Sequence, residues 1–233
     1  MTPSKIVEFG ENLFLVEGPL VQTWGVRFPT RMIVVRLTSG QLWINSPVEV
    51  SPETLATVLS WGEPAYFVAP TRLHVWRLVS WHQRFPQAEI WAAPQIPKAF
   101  RNLPFAGQLG DTPSPAWSND LEQRVFRGNI LIEEVFFYHR HSRSLILADF
   151  IQNYPPVPGH PINSLLKRWA GVVAPNGGVP IDIRMTFWHR QAARNSLRAI
   201  LAWDFVNVII AHGDCVHTYG RHFFERAFAW LQD

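Results

Sequence analysis

The chain has 233 residues, 47% of them hydrophobic and 17% charged, with a formal net charge of +3. That is enough apolar material for one sizeable α/β domain over residues 1–233, and too little for two ordinary domains with a linker. So small a charge argues against a nucleic-acid partner, which calls for a concentrated basic stripe, and the single cysteine, Cys215, excludes an intrachain disulfide and a multi-cysteine zinc cluster.

The stretch that opens the chain carries no apolar leader region, and no apolar run approaches the ~18 residues that span a bilayer. The expectation is a cytoplasmic protein with no membrane partner. Residues 12–17, 31–37 and 41–45 are rich in β-branched and apolar side chains, and the last two flank Thr38-Ser39-Gly40 as an antiparallel hairpin. Ser51-Pro52-Glu53 opens a helix, with Ser as cap, Pro at the first position and an acid in the first turn; Gly62 supplies its stop. A strand at 65–69, a helix at 75–84 and a strand at 89–92 read as a βαβ unit with parallel strands.

Residues 93–128 hold several prolines and little periodicity and read mostly as loop. Strands at 131–138 and 144–149 face each other across the polar turn Tyr138-His-Arg-His-Ser-Arg. Within the irregular segment 151–185, prolines and glycines bracket a short helix at 162–170; the segment reads either as a lid over a pocket or as a surface excursion. A long helix over 186–203, an apolar strand at 206–211 and a closing helix over 219–231 complete the chain. This order of elements predicts two sheets packed face to face with helices outside.

Eleven tryptophans and sixteen phenylalanines exceed what a core of this size needs. Buried Trp N–H groups require partners, so the surplus belongs either to a Trp-rich core or to a rim, a pocket or a subunit contact. The last leaves open a homo-oligomer joined through an aromatic surface. Arg190, Arg194 and Arg198 recur at four-residue spacing and share one helix face, which reads as a solvated face.

Three strand ends carry potential metal ligands: His74 after the strand at 65–69, Asp149 closing Ser144-Leu-Ile-Leu-Ala-Asp149, and His212 in Ala-His212-Gly213-Asp214. This order resembles the metallo-β-lactamase fold, in which a Thr-His-x-His-x-Asp-His run follows one strand, a bridging aspartate ends another and a histidine turn ends a third. Against that motif, Thr71-Arg72-Leu73-His74-Val75-Trp76-Arg77 keeps the threonine and the second histidine. The first histidine falls on Arg72, the aspartate on Trp76 and the last histidine on Arg77. Asn45, in Ile44-Asn45-Ser46-Pro47, stands where the fold commonly places an aspartate. Phe28-Pro-Thr-Arg31-Met32, Gly40-Gln-Leu-Trp-Ile-Asn-Ser46-Pro47 and the stretch from Glu134 to Asp149 look closer still to a family of lactamase-fold proteins known as a domain of unknown function.

The resemblance implies a four-layer αββα sandwich and maps His74, Asp149 and His212 onto ligand positions. Two imidazoles and one carboxylate suffice for a single divalent metal (zinc, manganese or iron) with positions left for water. Arg72 and Arg77 oppose a second metal, and a metal-free state stays open. His139 or His141 could replace a missing ligand or be turn histidines. The functional expectation is a hydrolase with a reduced single-metal site, acting on an ester, thioester or phosphoester. The alternative is a non-catalytic, metal-free protein that binds an anionic small molecule through Arg72, Trp76 and Arg77, or a protein partner. Cys215, flanked by His212 and His217, reads as a thiol–imidazole nucleophile or, more ordinarily, as a small buried hydrophobe.

Overall fold

The computed structural model describes residues 4–23, 26–155, 167 and 169–232, with the backbone alone at 22, 23, 26 and 27. Two compact units divide the chain, Met1–Leu121 and Glu122–Asp233.

The first unit is built on a seven-stranded sheet. Its strands are β1 (Ile6–Gly10), β2 (Leu13–Glu17), β5 (Arg31–Arg36), β6 (Leu42–Asn45), β7 (Pro64–Ala69), β8 (Glu89–Ala92) and β9 (Phe105–Gln108), which neighbour one another in that order. A two-stranded ribbon of β3 (Val21–Thr23) and β4 (Val26–Phe28) stands apart from the sheet. Pairing is antiparallel from β1 through β6 and parallel from β6 to β9. The change of sense coincides with the appearance of helices, because parallel neighbours need a crossover: α1 (Pro52–Ser60) precedes β7, α2 (Leu78–Arg84) precedes β8, and α3 (Ile96–Ala99) precedes β9.

The reasons for these elements are local. Ser51 Oγ accepts the Thr54 N–H at 3.2 Å and Pro52 occupies the first turn of α1, as the sequence predicts. The helix ends on Trp61, whose ring stacks on Phe14 at 4.0 Å. Gly62 is required by close approach, since a Cβ there would sit 2.3 Å from the Gly40 carbonyl. Asp120, almost fully buried, accepts the Thr38 N–H at 3.1 Å and the Thr38 hydroxyl at 2.6 Å, which pins the hairpin turn between β5 and β6. Arg31 pairs with Glu17 at 2.7 Å directly across the β2–β5 register.

The second unit carries a four-stranded sheet in the order β10 (Leu121–Phe126), β11 (Glu134–His139), β12 (Ser144–Leu147), β13 (Asn207–Ile210). β11 and β12 form an antiparallel hairpin, whereas β12 and β13 run parallel. Between those parallel strands lie α4 (Ile181–Met185) and α5 (Arg190–Leu201); α6 (Gly220–Ala227) and a 3-10 turn (Ala229–Leu231) follow β13. The core is rich in phenylalanine: Phe126 lies 4.8–5.8 Å, centroid to centroid, from Phe136, Phe150, Phe187 and Phe228, all buried.

Several expectations are corrected. The segment 93–128 is mostly irregular, as expected, but it also contains α3, β9 and β10, which the sequence reading lacks; in β10 the buried alternate positions are Leu121, Gln123 and Val125, and the glutamine masks the apolar period. The helix expected over 75–84 begins only at Leu78. The strand expected from 131 begins at Glu134, because Asn129 Oδ1 accepts the N–H groups of Leu131 and Ile132 and folds them into a turn. The long helix expected over 186–203 is broken: Asn129 Nδ2 donates to Thr186 Oγ1 at 2.7 Å and Phe187 turns into the core, so α5 starts only at Arg190. The closing helix ends at Ala227. The helix expected at 162–170 lies largely outside the described residues. Among the described residues, no helix is long and apolar enough to cross a membrane.

The aromatic surplus is divided. Trp43, Trp81 and Trp117 are buried, while Trp76, Trp169 and Trp188 are largely exposed. Phe126→Ala is expected to destabilise the protein by about 3–5 kcal/mol, and Ser51→Ala by about 1 kcal/mol, both measured by urea denaturation.

Candidate functional site

In the first unit, β7 runs into a turn at the buried Thr71, whose Oγ1 accepts the Leu73 N–H at 3.2 Å and whose carbonyl accepts the His74 N–H at 3.1 Å. His74 is thereby set just beyond the strand. Its Nδ1 lies 2.7 Å from Ser46 Oγ, and the Ser46 hydroxyl donates to Asn45 Oδ1 at 2.7 Å. With that hydroxyl proton directed at Asn45, Ser46 Oγ is left to accept from Nδ1, which leaves Nε2 as the ring atom to face a ligand. A relay of this kind selects the tautomer in which Nε2 can coordinate a metal. Ser46, held at φ +56° with its N–H on the Val68 carbonyl, owes this placement to the end of β6.

Arg77 makes a 2.5 Å ion pair with Glu49, and both are about half exposed. Arg72 and Trp76 are exposed, Trp76 by 81%. Of the three residues expected to bind an anion, one guanidinium is thus already matched by an acid.

In the second unit, the parallel register sets Leu147 opposite Ile210. Two residues beyond the end of each strand, Asp149 Oδ1 lies 3.3 Å from His212 Nε2, with both side chains largely buried. The His212 turn is clamped by the buried Asn153. The Asn153 N–H donates to the His212 carbonyl at 3.2 Å, its carbonyl accepts the Asp214 N–H at 2.7 Å, and its Nδ2 donates to the Asp214 carbonyl at 2.9 Å. Gly213 allows this approach: at φ +113°, a Cβ would meet the Asn153 carbonyl oxygen at 2.2 Å.

Beneath Asp149 lies a carboxylate that the sequence reading passed over. Glu134, fully buried, accepts the N–H of Ala148 on one oxygen and, on the other, those of Asp149 at 3.0 Å and Phe150 at 2.7 Å. Burial, and then the negative charge of Asp149, push its carboxyl up to about 8, while the three N–H bonds pull the other way. The available signal was an acid opening a strand whose six residues, Glu134-Val-Phe-Phe-Tyr-His139, are otherwise strongly apolar. Tyr154 is also buried here, and burial together with Asp149 raises its phenol, so its proton is retained.

His139 and His141 are removed from the site. His139 is buried, pairs with Ser144 in the hairpin register and contacts Ser142 Oγ at 2.8 Å. Ser144 opens β12 and Asp149 lies beyond its other end at Leu147, so roughly 10 Å of extended strand alone separates the two ends. Cys215 is half-buried in the loop after His212. On α5, Arg194 bonds the Leu231 carbonyl at 2.7 Å, so only Arg190 and Arg198 remain exposed on that face.

The fold these elements build is α+β and of metallo-β-lactamase type. The metallo-β-lactamase DIM-1 exposed to ceftazidime matches with a TM-score of 0.66 at 17% identity, over 98% of this chain and 97% of that one. The mono-zinc form of FIM-1 from Pseudomonas aeruginosa matches at 0.63 and 11% identity, over 99% and 96%. A metal-soaked flavodiiron core from Synechocystis sp. PCC6803 matches at 0.65 and 11% identity, over 99% of this chain and 61% of that one. Likeness at such identities establishes fold alone. Within that fold, the chain belongs to the family described as Domain of unknown function (DUF4336), which matches residues 19–167, a span that contains His74 and Asp149. No curated protein matches the sequence.

Two outcomes are expected. Gly213→Ala loses more than about 1 kcal/mol of stability in urea denaturation, from backbone strain and the clash with Asn153. A carboxyl whose folded pKa lies above its unfolded value leaves the folded state holding the extra proton, from the ordinary 4.5 to about 8. Its contribution is complete below that window and lost as pH rises through it. The thermal midpoint of the metal-free protein should therefore fall, relative to Glu134→Gln, as pH rises from about 5 to about 8.

Proposed function

We propose that this protein is a metal-dependent hydrolase whose 233 residues act as one metallo-β-lactamase-like domain. His74, Asp149 and His212 hold a single divalent metal, either zinc, manganese or iron. The observation that carries this reading is the Asp149–His212 pair, a carboxylate and an imidazole placed side by side by the β12–β13 register. Each of the three residues can offer one ligand atom. Their chemistry, two imidazole nitrogens and one carboxylate oxygen, is a borderline-soft donor set suited to these metals.

The chain's own residues supply the preparation. Ser46 and Asn45 fix the His74 tautomer, Asn153 holds the His212 turn, and Asp149 contributes the negative charge that offsets a cation. Bound at such a site, a divalent metal lowers the pKa of water toward ~7 and so provides a hydrolytic nucleophile. The substrate class we assign is an ester, thioester or phosphoester.

A second reading takes Arg72, Trp76 and Arg77 as the binding surface of a non-catalytic protein. The exposed ring of Trp76 favours it and the Glu49 pairing of Arg77 weakens it. Elemental analysis of protein purified without chelator and then loaded with zinc, manganese or iron separates the two. The expected result is about one ion per chain, lost in Asp149→Ala and His74→Ala, with esterase or phosphoesterase activity that chelation abolishes. Absence of stoichiometric metal under every loading, with ligand binding sensitive to Arg72→Ala, would establish the second reading instead.

A further inference from the structure

Glu134 is an expensive residue to keep. Its side chain is fully buried, and a buried carboxyl group needs hydrogen-bond partners to offset lost hydration. Its donors are the three consecutive backbone N–H groups of Ala148, Asp149 and Phe150. Three successive amides converging on one acceptor fix the rotation of every peptide in the turn, and with it the direction in which the Asp149 side chain leaves the backbone. That side chain points at His212, which its Oδ1 meets at 3.3 Å. Glu134 itself is unsuited to ligation, because both of its oxygens already face N–H dipoles whose positive ends would oppose a cation.

We propose that Glu134 is the positioning residue of the metal site: from outside the ligand set, it orients the Asp149 carboxylate through the three-amide cage and adds a second acid behind it. The proposal rests on the metal reading given above. Partners of this outer kind typically change metal affinity by about 10- to 100-fold when removed. A purely structural acid would change stability and leave the metal's surroundings alone.

The test is cobalt(II) titration of the full chain, followed by visible absorption, on the wild type, Glu134→Gln and Asp149→Ala. Gln keeps the shape but sets an amide NH2 against the backbone donors. Binding weakened about 10- to 100-fold in Glu134→Gln, with a displaced d–d spectrum and with Asp149→Ala binding nothing, is the expected result. A folded Glu134→Gln that binds as tightly as the wild type, with an unchanged spectrum, would overturn the positioning role alone. Failure of the wild type to bind cobalt or zinc would overturn that role together with the metal reading. Should Glu134→Gln not fold, the wild-type amide resonances decide: zinc should shift those of residues 148, 149 and 150, and no shift would refute the proposal.

Discussion

The in-register parallel pairing of β12 with β13 is the constraint from which the Asp149–His212 contact follows. Leu147 stands opposite Ile210, so equal continuations of the two strands bring Asp149 and His212 side by side. The register is held from the core side. Leu145, Leu147, Val208 and Ile210 all enter the phenylalanine-rich cluster, and a one-residue slip of either strand would turn that set to the opposite face. Parallel neighbours also need a long connection. The chain places α4 and α5 in it, and Phe187, Ala193, Leu197 and Ile200 return to the same cluster.

A second device recurs where strands end. Asp120, Asn153 and Glu134 are buried polar side chains that accept backbone N–H groups from turns distant in sequence. A buried polar group left unsatisfied costs about 1–3 kcal/mol, so each of these residues disfavours every turn conformation except the one that satisfies it. Two of them bear on candidate ligands, Asn153 on the His212 turn and Glu134 on the Asp149 turn. Ser46 and Asn45 do comparable work for His74 at the level of the imbalance between its two ring nitrogens. Candidate ligands are thus held by short networks and not by packing alone, which is what a pre-organised site needs.

The arginines modify the picture drawn from the motif. Arg72 and Arg77 bring positive charge to the loop after β7. Arg77 is nonetheless matched by Glu49, as Arg31 is by Glu17. An exposed pair of this kind adds little to stability, yet it cancels much of the local charge. The net electrostatic penalty for a cation is therefore smaller than a count of arginines implies.

The strands β2, β5, β6, β7, β8 and β12, the cap of α1 and the positions of His74, Asp149 and His212 at strand ends were legible in the sequence, because apolar runs, a Ser-Pro-Glu signature and turn residues are local signals. β9 and β10 were not, since Gln123 occupies a buried strand position and the apolar period is lost. Nor was the break before α5, which depends on Asn129 reaching Thr186 from another part of the chain. Glu134 reads in one dimension as an ordinary strand-edge acid; only folding places it under the Asp149 turn. The sequence by itself determined which residue types end the strands, because hydrophobic period and turn chemistry are written residue by residue. The tertiary structure alone decided which strands became neighbours and which polar groups were buried together, because pairing and desolvation are properties of groups brought close from far apart in the chain.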